Sequence, residues 1–361
     1  MMTRLTARKF KAICFYLFSW IIFCLLFALF NLYLNIEKND TFSFLFIFQF
    51  ALLIGLSHGI YDVVVLEDDR DHRTIWVALL IRTSYFIVAI LCNISICVFV
   101  WSVYNTGEMI SEESIMLLRI ILKNPSVHLF MIYSFLMGYL ITFVRSVHKK
   151  FGTRVFINTI LGKYQEPTEE ERIFMLIDLR NSTTLAEELG HFKYSNFLRD
   201  YYRFVSNCCE ENRGEIYQIA GDGAYLTWPL KSCLKSPRPM LCFYDLQICL
   251  ERTQKTFLKK YGVAPAFKAA VHCGKVIVSE VGNFGSEIAY HGDVLNTTSR
   301  LETLCAKIGQ EFVASEDFIS KMPLIKMFYP QKQGFFELKG KKKTISVYSL
   351  HFSLDKENPL N

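Results

Sequence analysis

The sequence predicts an α+β protein in two parts: a four-helix transmembrane domain, then a soluble domain of alternating strands and helices. Three observations carry that prediction. Hydrophobic residues make up 52% of the 361-residue chain, and they crowd into roughly the first 145 positions. Within that segment lie four apolar stretches, about 12–34, 42–66, 75–103 and 127–144, each near the roughly 20 residues a helix needs to cross a bilayer. The remainder breaks into short apolar runs bounded by Gly, Asn and Asp, the punctuation of a mixed domain in water.

The first stretch is too long for a removable signal peptide and has no convincing cleavage site. Basic residues precede it (Arg4, Arg8, Lys9, Lys11) and follow the fourth (Arg145, His148, Lys149, Lys150). Cationic flanks prefer the cytoplasmic leaflet. Four spans put both termini on one side, so charge and parity both predict cytoplasmic ends. The loop with Arg70, His72 and Arg73 is then also inside, and the connections at 35–41 and 104–125 outside. The expected location is the cell (inner or plasma) membrane, with lipid as partner. Asp62 and Arg82 lie toward the cytoplasmic ends of spans two and three, close enough in depth to pair or to snorkel. His58, alone in span two, is expected to pack and hydrogen-bond and not to bind a cofactor. The net charge of +6 is mild and no long basic face is visible, which argues against nucleic acid as a partner. The 11 cysteines form no CxxC pair and no zinc spacing, so buried, reduced thiols are expected.

These features divide the chain into a transmembrane domain (1–148), a linker (149–171) holding the acidic run Glu169–Glu171, and a soluble domain (172–352). In the soluble domain, Ile173–Ile177 is a strand that ends at Asp178. A polar loop, Arg180-Asn181-Ser182-Thr183, leads into a helix for which Thr184 and Glu187 have capping-box spacing. Gly214–Trp228 reads as a hairpin with Asp222 at its tip, between Gly221 and Gly223. Leu241–Tyr261 fits a long helix. Phe267–His272 and Lys275–Ser279 read as two strands flanking Gly274. Gly292–Glu302 turns into a helix, and a late strand fits Thr344–Leu350. The order β-α-β-β-α-β is the ferredoxin-like plan.

In that plan a strand end and a hairpin tip on neighbouring central strands bring Asp178 and Asp222 together. Two carboxylates suit Mg²⁺, which takes oxygen ligands and completes its shell with waters and substrate phosphates. Two such metals can activate an attacking oxygen and stabilise a leaving one. The loop at Ser182 and Thr183, with the helix N-terminus behind it, can hold phosphates. Asn296 and Arg300, four apart, share a helix face and offer an amide and a guanidinium. No Ser/His/Asp or Cys/His arrangement suggests a protein nucleophile.

Together, Phe174-Met-Leu-Ile-Asp178 with Ser182-Thr183-Thr184, Gly221-Asp222-Gly223, Gly292-Asp-Val-Leu-Asn-Thr-Thr-Ser-Arg300 and Leu338-Lys339-Gly340 resemble the class III adenylate and guanylate cyclase catalytic domain. The resemblance spans about 172–350. It implies that Asp178 and Asp222 bind two Mg²⁺ (or Mn²⁺) ions, that Asn296 orients the ribose, that Arg300 stabilises the transition state, and that Lys339 contacts the triphosphate. It also implies a head-to-tail homodimer in which the metal residues and the Asn/Arg/Lys set come from different protomers. Two positions depart from the family's pattern. Adenine-selective members commonly have Lys where this chain has Gln218, and Asp or Thr where it has Ala289; the Glu usual in guanine-selective members is absent too. Tyr290 and His291 are possible substitutes near the base. Prevalence among membrane cyclases favours ATP, with GTP as the alternative. A receptor or scaffold with an inactive cyclase-like domain is the rival of another class. A diguanylate cyclase is disfavoured, since Ala220–Ala224 lacks that family's turn.

Overall fold

The computed structural model describes residues 2–34, 44–63, 75–107, 112–123, 125–151, 162–282, 287–323, 327–338 and 344–352. The chain divides into two compact units, Met1–Phe156 and Ile157–Asn361.

The first unit is helical: α1 (Met2–Leu34), α2 (Phe44–Tyr61), α3 (Ile75–Thr106), α4 (Glu112–Lys123) and α5 (Pro125–Phe151). Among the described residues three helices are long and apolar enough to cross a membrane, over Lys9–Phe30, Thr83–Tyr104 and Val127–Arg145. Within the second expected span an apolar helix covers Phe46–Tyr61; 42–43 and 64–66 lie outside the described residues. The connection at 104–125 contains α4, which the sequence reading missed. Alternation of Ile and Leu with Glu112, Arg119 and Lys123 makes α4 amphipathic, and no span-length filter detects such a helix.

Polar groups sit inside this unit. His58 is buried. Trp20 donates its indole N–H to His58 Nδ1 at 3.1 Å. Indole only donates, so Nδ1 accepts and the neutral ring carries its proton on Nε2. Nε2 lies 3.1 Å from Thr142 Oγ1, whose hydroxyl donates to the Gly138 carbonyl at 2.9 Å. Asp62 pairs with Arg145 at 2.7 Å; the Arg82 side chain, the expected partner, lies outside the described residues. Arg145 also stands over the Tyr16 ring.

The second unit contains β1 (Thr168–Leu179), α6 (Ser182–Glu211), β2 (Glu215–Ala220), β3 (Gly223–Pro229), the short α7 (Leu230–Cys233), α8 (Arg238–Tyr261), β4 (Phe267–Val281), β5 (Glu287–His291), α9 (Asp293–Lys307), β6 (Phe312–Ser315), α10 (Glu316–Lys321), β7 (Phe328–Phe336) and β8 (Ile345–Phe352). The sheet order is β2-β3-β1-β4-β6-β8-β7, with β5 also on β4. Its first four strands, β2-β3-β1-β4, are the ferredoxin-like core, all antiparallel. Among the described residues only β4–β6 is parallel.

The side-chain period of two sorts β1 between two layers. Ile173, Met175 and Ile177 join Phe197, Tyr201 and Val205 of α6 and Phe243, Leu246 and Leu250 of α8. Phe174 faces the other way, with Val276, Val278 and Val294. Leu301, Leu304 and Cys305 of α9 pack there on Ala270 and Val313. A strand buried on both faces reads as an unbroken apolar run, which is why β1 was legible.

Four expectations need correction. The acidic run Glu169–Glu171 is not connector but the first part of β1, paired with Val276–Ile277 and Lys275 of β4. Its charges are absorbed locally, Glu170 by Lys163 and Arg172 and Glu171 by Lys321. Phe267–Ser279 is one strand, not two. Gly274 is required there by a close approach, since a Cβ would meet Val294 Cγ2 at 2.8 Å. The capping box at Thr184 and Glu187 does not form. The helix instead starts at Ser182, behind Asn181 in the left-handed region (φ 54°), and breaks at Gly190. Strands β5, β6 and β7 were not foreseen, being short or bounded by polar residues.

Candidate active site

Asp178 stands at the last pairs of β1, directly opposite Gly223 of β3 and Lys268 of β4. The Leu179 N–H donates to the Asp222 carbonyl at 3.3 Å, which ties the hairpin tip to the end of β1. The Tyr202 hydroxyl of α6 donates to the Gly221 carbonyl at 3.1 Å, fixing the tip from the other side. The two aspartates therefore converge. A Cβ on Gly223 would lie 3.5 Å from Asp178 Oδ1, so glycine leaves the space beside that oxygen open. Both aspartates are partly exposed. Nearby phenols register their charge. Burial first, and then Asp222 and Asp178, push the Tyr194 and Tyr202 hydroxyls above their usual range.

Beyond Asp178 the chain turns through Arg180 and Asn181 into α6. The first regular bond of the helix runs from Leu185 N–H to the Asn181 carbonyl at 2.9 Å. The amides of Ser182 and Thr183 thus belong to the first turn, whose N–H groups have no partner within the helix. Thr183 is exposed and Ser182 half-buried.

Two charged residues that the sequence reading missed complete this corner. Lys268 Nζ lies 3.3 Å from Asp178 Oδ2 and 2.6 Å from Glu302 Oε1. Burial alone would lower the ammonium's pKa. Glu302, and then Asp178, outweigh it, and the net shift is upward. Glu302 is shifted up chiefly by burial, against the pull of Lys268. A lysine inside the apolar run Phe267-Lys-Ala-Ala-Val271, and a glutamate on the buried side of α9, were the available signals.

Asn296 and Arg300 lie one turn apart on α9, Asn296 exposed and Arg300 half-buried. At about 100° per residue, Glu302 is roughly 200° from Arg300 and 240° from Asn296. Glu302 points at Asp178 and Lys268 of the same chain, so Asn296 and Arg300 face the other way. The two groups of candidate residues thus lie apart within one chain. Lys339 lies outside the described residues.

Gln218 is exposed and sits beside a bulge between Ile216 and Gln218. Ala289 is in β5, opposite Ser279. Their neighbours Tyr217 and Tyr290 meet ring to ring at 4.9 Å, which draws β2 and β5 together on one face. Tyr290 is occupied in packing: Phe174 abuts it edge-on, and Arg172 covers its ring at 4.9 Å. His291 is exposed.

The carboxylates fit a magnesium-type ion. Among the described residues no cluster of three or more His, Cys, Asp or Glu could cage a metal. Two converging aspartates leave coordination positions for water and phosphate, as Mg²⁺ prefers.

The model of the adenylate and guanylate cyclase catalytic domain matches residues 164–352. Adenylate cyclase 2 of Rhizobium meliloti (strain 1021) is 31% identical over 210 residues, 58% of this chain and 58% of that protein; the chain therefore spans less than two thirds of that relative's length. Among solved structures, a bacterial light-regulated adenylyl cyclase has a TM-score of 0.51 at 17% identity, covering 63% of this chain and 67% of the other. The guanylyl cyclase Cya2 has a TM-score of 0.46 at 17% identity, covering 54% and 97%. Fold, converging aspartates and a match over more than half of the sequence lead to one conclusion: the chain belongs to the adenylate and guanylate cyclase catalytic domain family.

Proposed function

We propose that this protein is a membrane-bound adenylate cyclase, converting ATP to 3′,5′-cyclic AMP and pyrophosphate in a homodimer with its catalytic domain in the cytoplasm. The observation that carries the reading is the division of side chains within one chain. Asp178 and Asp222 converge at one corner, while Asn296 and Arg300 face away from it. Two copies arranged head to tail would pair each aspartate corner with a partner's Asn/Arg face and make two sites.

In each site Asp178 and Asp222 would hold two Mg²⁺ (or Mn²⁺) ions, which would supply a lowered pKa for the ribose 3′-hydroxyl and positive charge to offset the phosphates. The first-turn amides at Ser182 and Thr183 receive phosphate oxygens, and Lys339 contacts the same triphosphate. Asn296 orients the ribose so that its 3′-oxygen lies in line with the α-phosphorus. Arg300 faces the charge that develops as pyrophosphate leaves. Nucleophile and electrophile belong to one nucleotide, so positioning supplies much of the acceleration. Asp62, paired with Arg145, serves as an internal anchor of the membrane unit.

Production of cyclic GMP from GTP is the second reading. Gln218 and Ala289 leave it open: they offer neither the Lys with Asp or Thr that reads adenine nor the Glu that reads guanine, and a glutamine can donate to or accept from either purine. The full-length chain in membranes, given Mg²⁺ or Mn²⁺ with ATP or GTP, decides by mass spectrometry of the product. Cyclic AMP, absent with Asp222→Ala, is expected. Cyclic GMP would overturn the substrate. No product from either nucleotide would favour an inactive receptor or scaffold.

A further inference from the structure

We propose that Lys268 is a placeholder cation for the metal-binding corner, and that Glu302 sets how firmly it holds Asp178. The proposal rests on the reading of Asp178 and Asp222 as a divalent-metal pair.

The register places Lys268 directly opposite Asp178 on the neighbouring strand, with both side chains on the α9 side of the sheet. The ammonium is shared unequally, 2.6 Å from Glu302 and 3.3 Å from Asp178. Its closer contact is with the carboxylate that has no part in metal binding. Asp178 Oδ2 is thereby engaged by a loose contact, and Oδ1 is left toward the open side at Gly223. The carboxylate is oriented without being consumed.

The charges explain why such an arrangement is useful. Asp178, Asp222 and Glu302 bring three carboxylates to this corner, and Lys268 is the cation that touches two of them. Without it, Asp178 and Glu302 would repel each other across a partly desolvated gap. A divalent ion arriving at Asp178 then meets a fixed positive charge behind the carboxylate. Its affinity in the absence of nucleotide is held down. Triphosphate brings the negative charge that offsets the ammonium, so metal and nucleotide enter the site together. Lys268 touches Asp178 and not substrate, and is therefore a positioning residue.

The test is equilibrium Mn²⁺ binding to the purified full-length protein without nucleotide, with free Mn²⁺ followed by electron paramagnetic resonance, alongside cyclase turnover. Lys268→Met removes the like charge, and Mn²⁺ affinity should rise roughly three- to tenfold while turnover falls. Glu302→Gln releases the ammonium wholly to Asp178, and affinity should fall roughly three- to fivefold. Lys268→Arg should bind as the parent does, within about twofold. A merely loosened fold weakens binding in both of the first two variants and cannot produce opposite signs. Glu302→Gln, monitored by thermal unfolding, decides if Lys268→Met does not fold. Affinity in Lys268→Met at or below the parent's, or tighter binding in Glu302→Gln, overturns the proposal alone. Parent binding that is insensitive to Asp178→Asn overturns the metal reading itself, and this proposal with it.

Discussion

The two units sort the same kinds of residue in opposite directions. In the helical unit Phe18, Leu80 and Phe143 lie more than 60% exposed, while His58, Asp62 and Thr142 are buried. In the cyclase unit Phe174, Phe197 and Phe312 are buried and most charges lie outside. The exceptions there are also instructive. Arg172 is fully buried, with Nε donating to Thr227 and its two Nη groups to Glu170 and Glu215. The membrane unit links its polar groups one to one, in a chain from Trp20 through His58 and Thr142 to Gly138. The cyclase unit gathers them around hubs, Arg172 within β1 and Lys268 of β4 beside the end of β1. The lesson concerns solvent. In lipid no water can satisfy a spare donor, so polar groups must find partners inside. In water a strand end can afford a charged cluster, and chemistry needs one.

The largest effect should come from splitting the two sets of side chains. Arg300→Ala should lower kcat by roughly 10²–10³-fold with much less change in KM, as for loss of one transition-state donor. Asp222→Ala should be inactive. Co-expressing the two inactive variants should restore part of the activity, because one mixed dimer site keeps both an intact aspartate corner and an intact Arg300. Failure to recover any activity, in membranes where both chains are present, would break the shared-site reading.

Next in size is the hub that sits away from the chemistry. Arg172→Met takes the buried guanidinium away from Glu215 and leaves Glu170 with Lys163, and breaking a buried pair from one side costs about 3 kcal/mol. Thermal unfolding of the full chain should show that loss in the cyclase unit's transition. An unchanged transition would mean that water replaces the guanidinium there.

How far the sequence carried these conclusions depends on where each residue gets its partners. Strand β1, the Asp222 hairpin and helix α8 were legible because their patterns are local, an apolar run, a Gly-Asp-Gly turn and a helical period. Asp178, Asp222, Asn296 and Arg300 are candidates on motif spacing. Lys268 and Glu302 were not legible, because each looks like an ordinary surface charge until β4 and α9 bring it to Asp178. Arg172 stands at the start of an apolar run and gives no sign that a strand 43 residues later supplies its partner, Glu215. The early part of β1 was read as linker because its three glutamates mimic a solvated connector. The Asp62–Arg145 pair joins α2 to α5, a pairing of helices that hydropathy does not encode.

A smaller effect is expected in the membrane unit. Arg145→Gln removes the charge from Asp62 while leaving an amide that can still bond, so the loss should be about 1–2 kcal/mol, as for interhelical polar contacts in lipid. Unfolding of the full chain in mixed detergent and lipid measures it. A loss as large as that for Arg172→Met would erase the distinction between linked and hub-like polar groups.

The smallest effect is set by pH. In the cyclase unit Glu170 is held below its ordinary value of 4.5: burial pushes it up, and the bonds from Lys163 and Arg172 more than reverse that. Asp200 is likewise held below 3.8, with burial overcome by Lys260 and Tyr261. A carboxylate whose pKa is lower folded than unfolded stabilises the fold above its unfolded value, and that contribution fades as pH falls through the folded value. Stability of the cyclase unit should therefore begin to fall below about pH 4.5. Glu170→Gln should flatten the first part of that decline, and Asp200→Asn the later part. Both groups are partly exposed, so each change should be modest and should shrink in high salt. A decline unaltered by either substitution would place the acid sensitivity in other carboxylates.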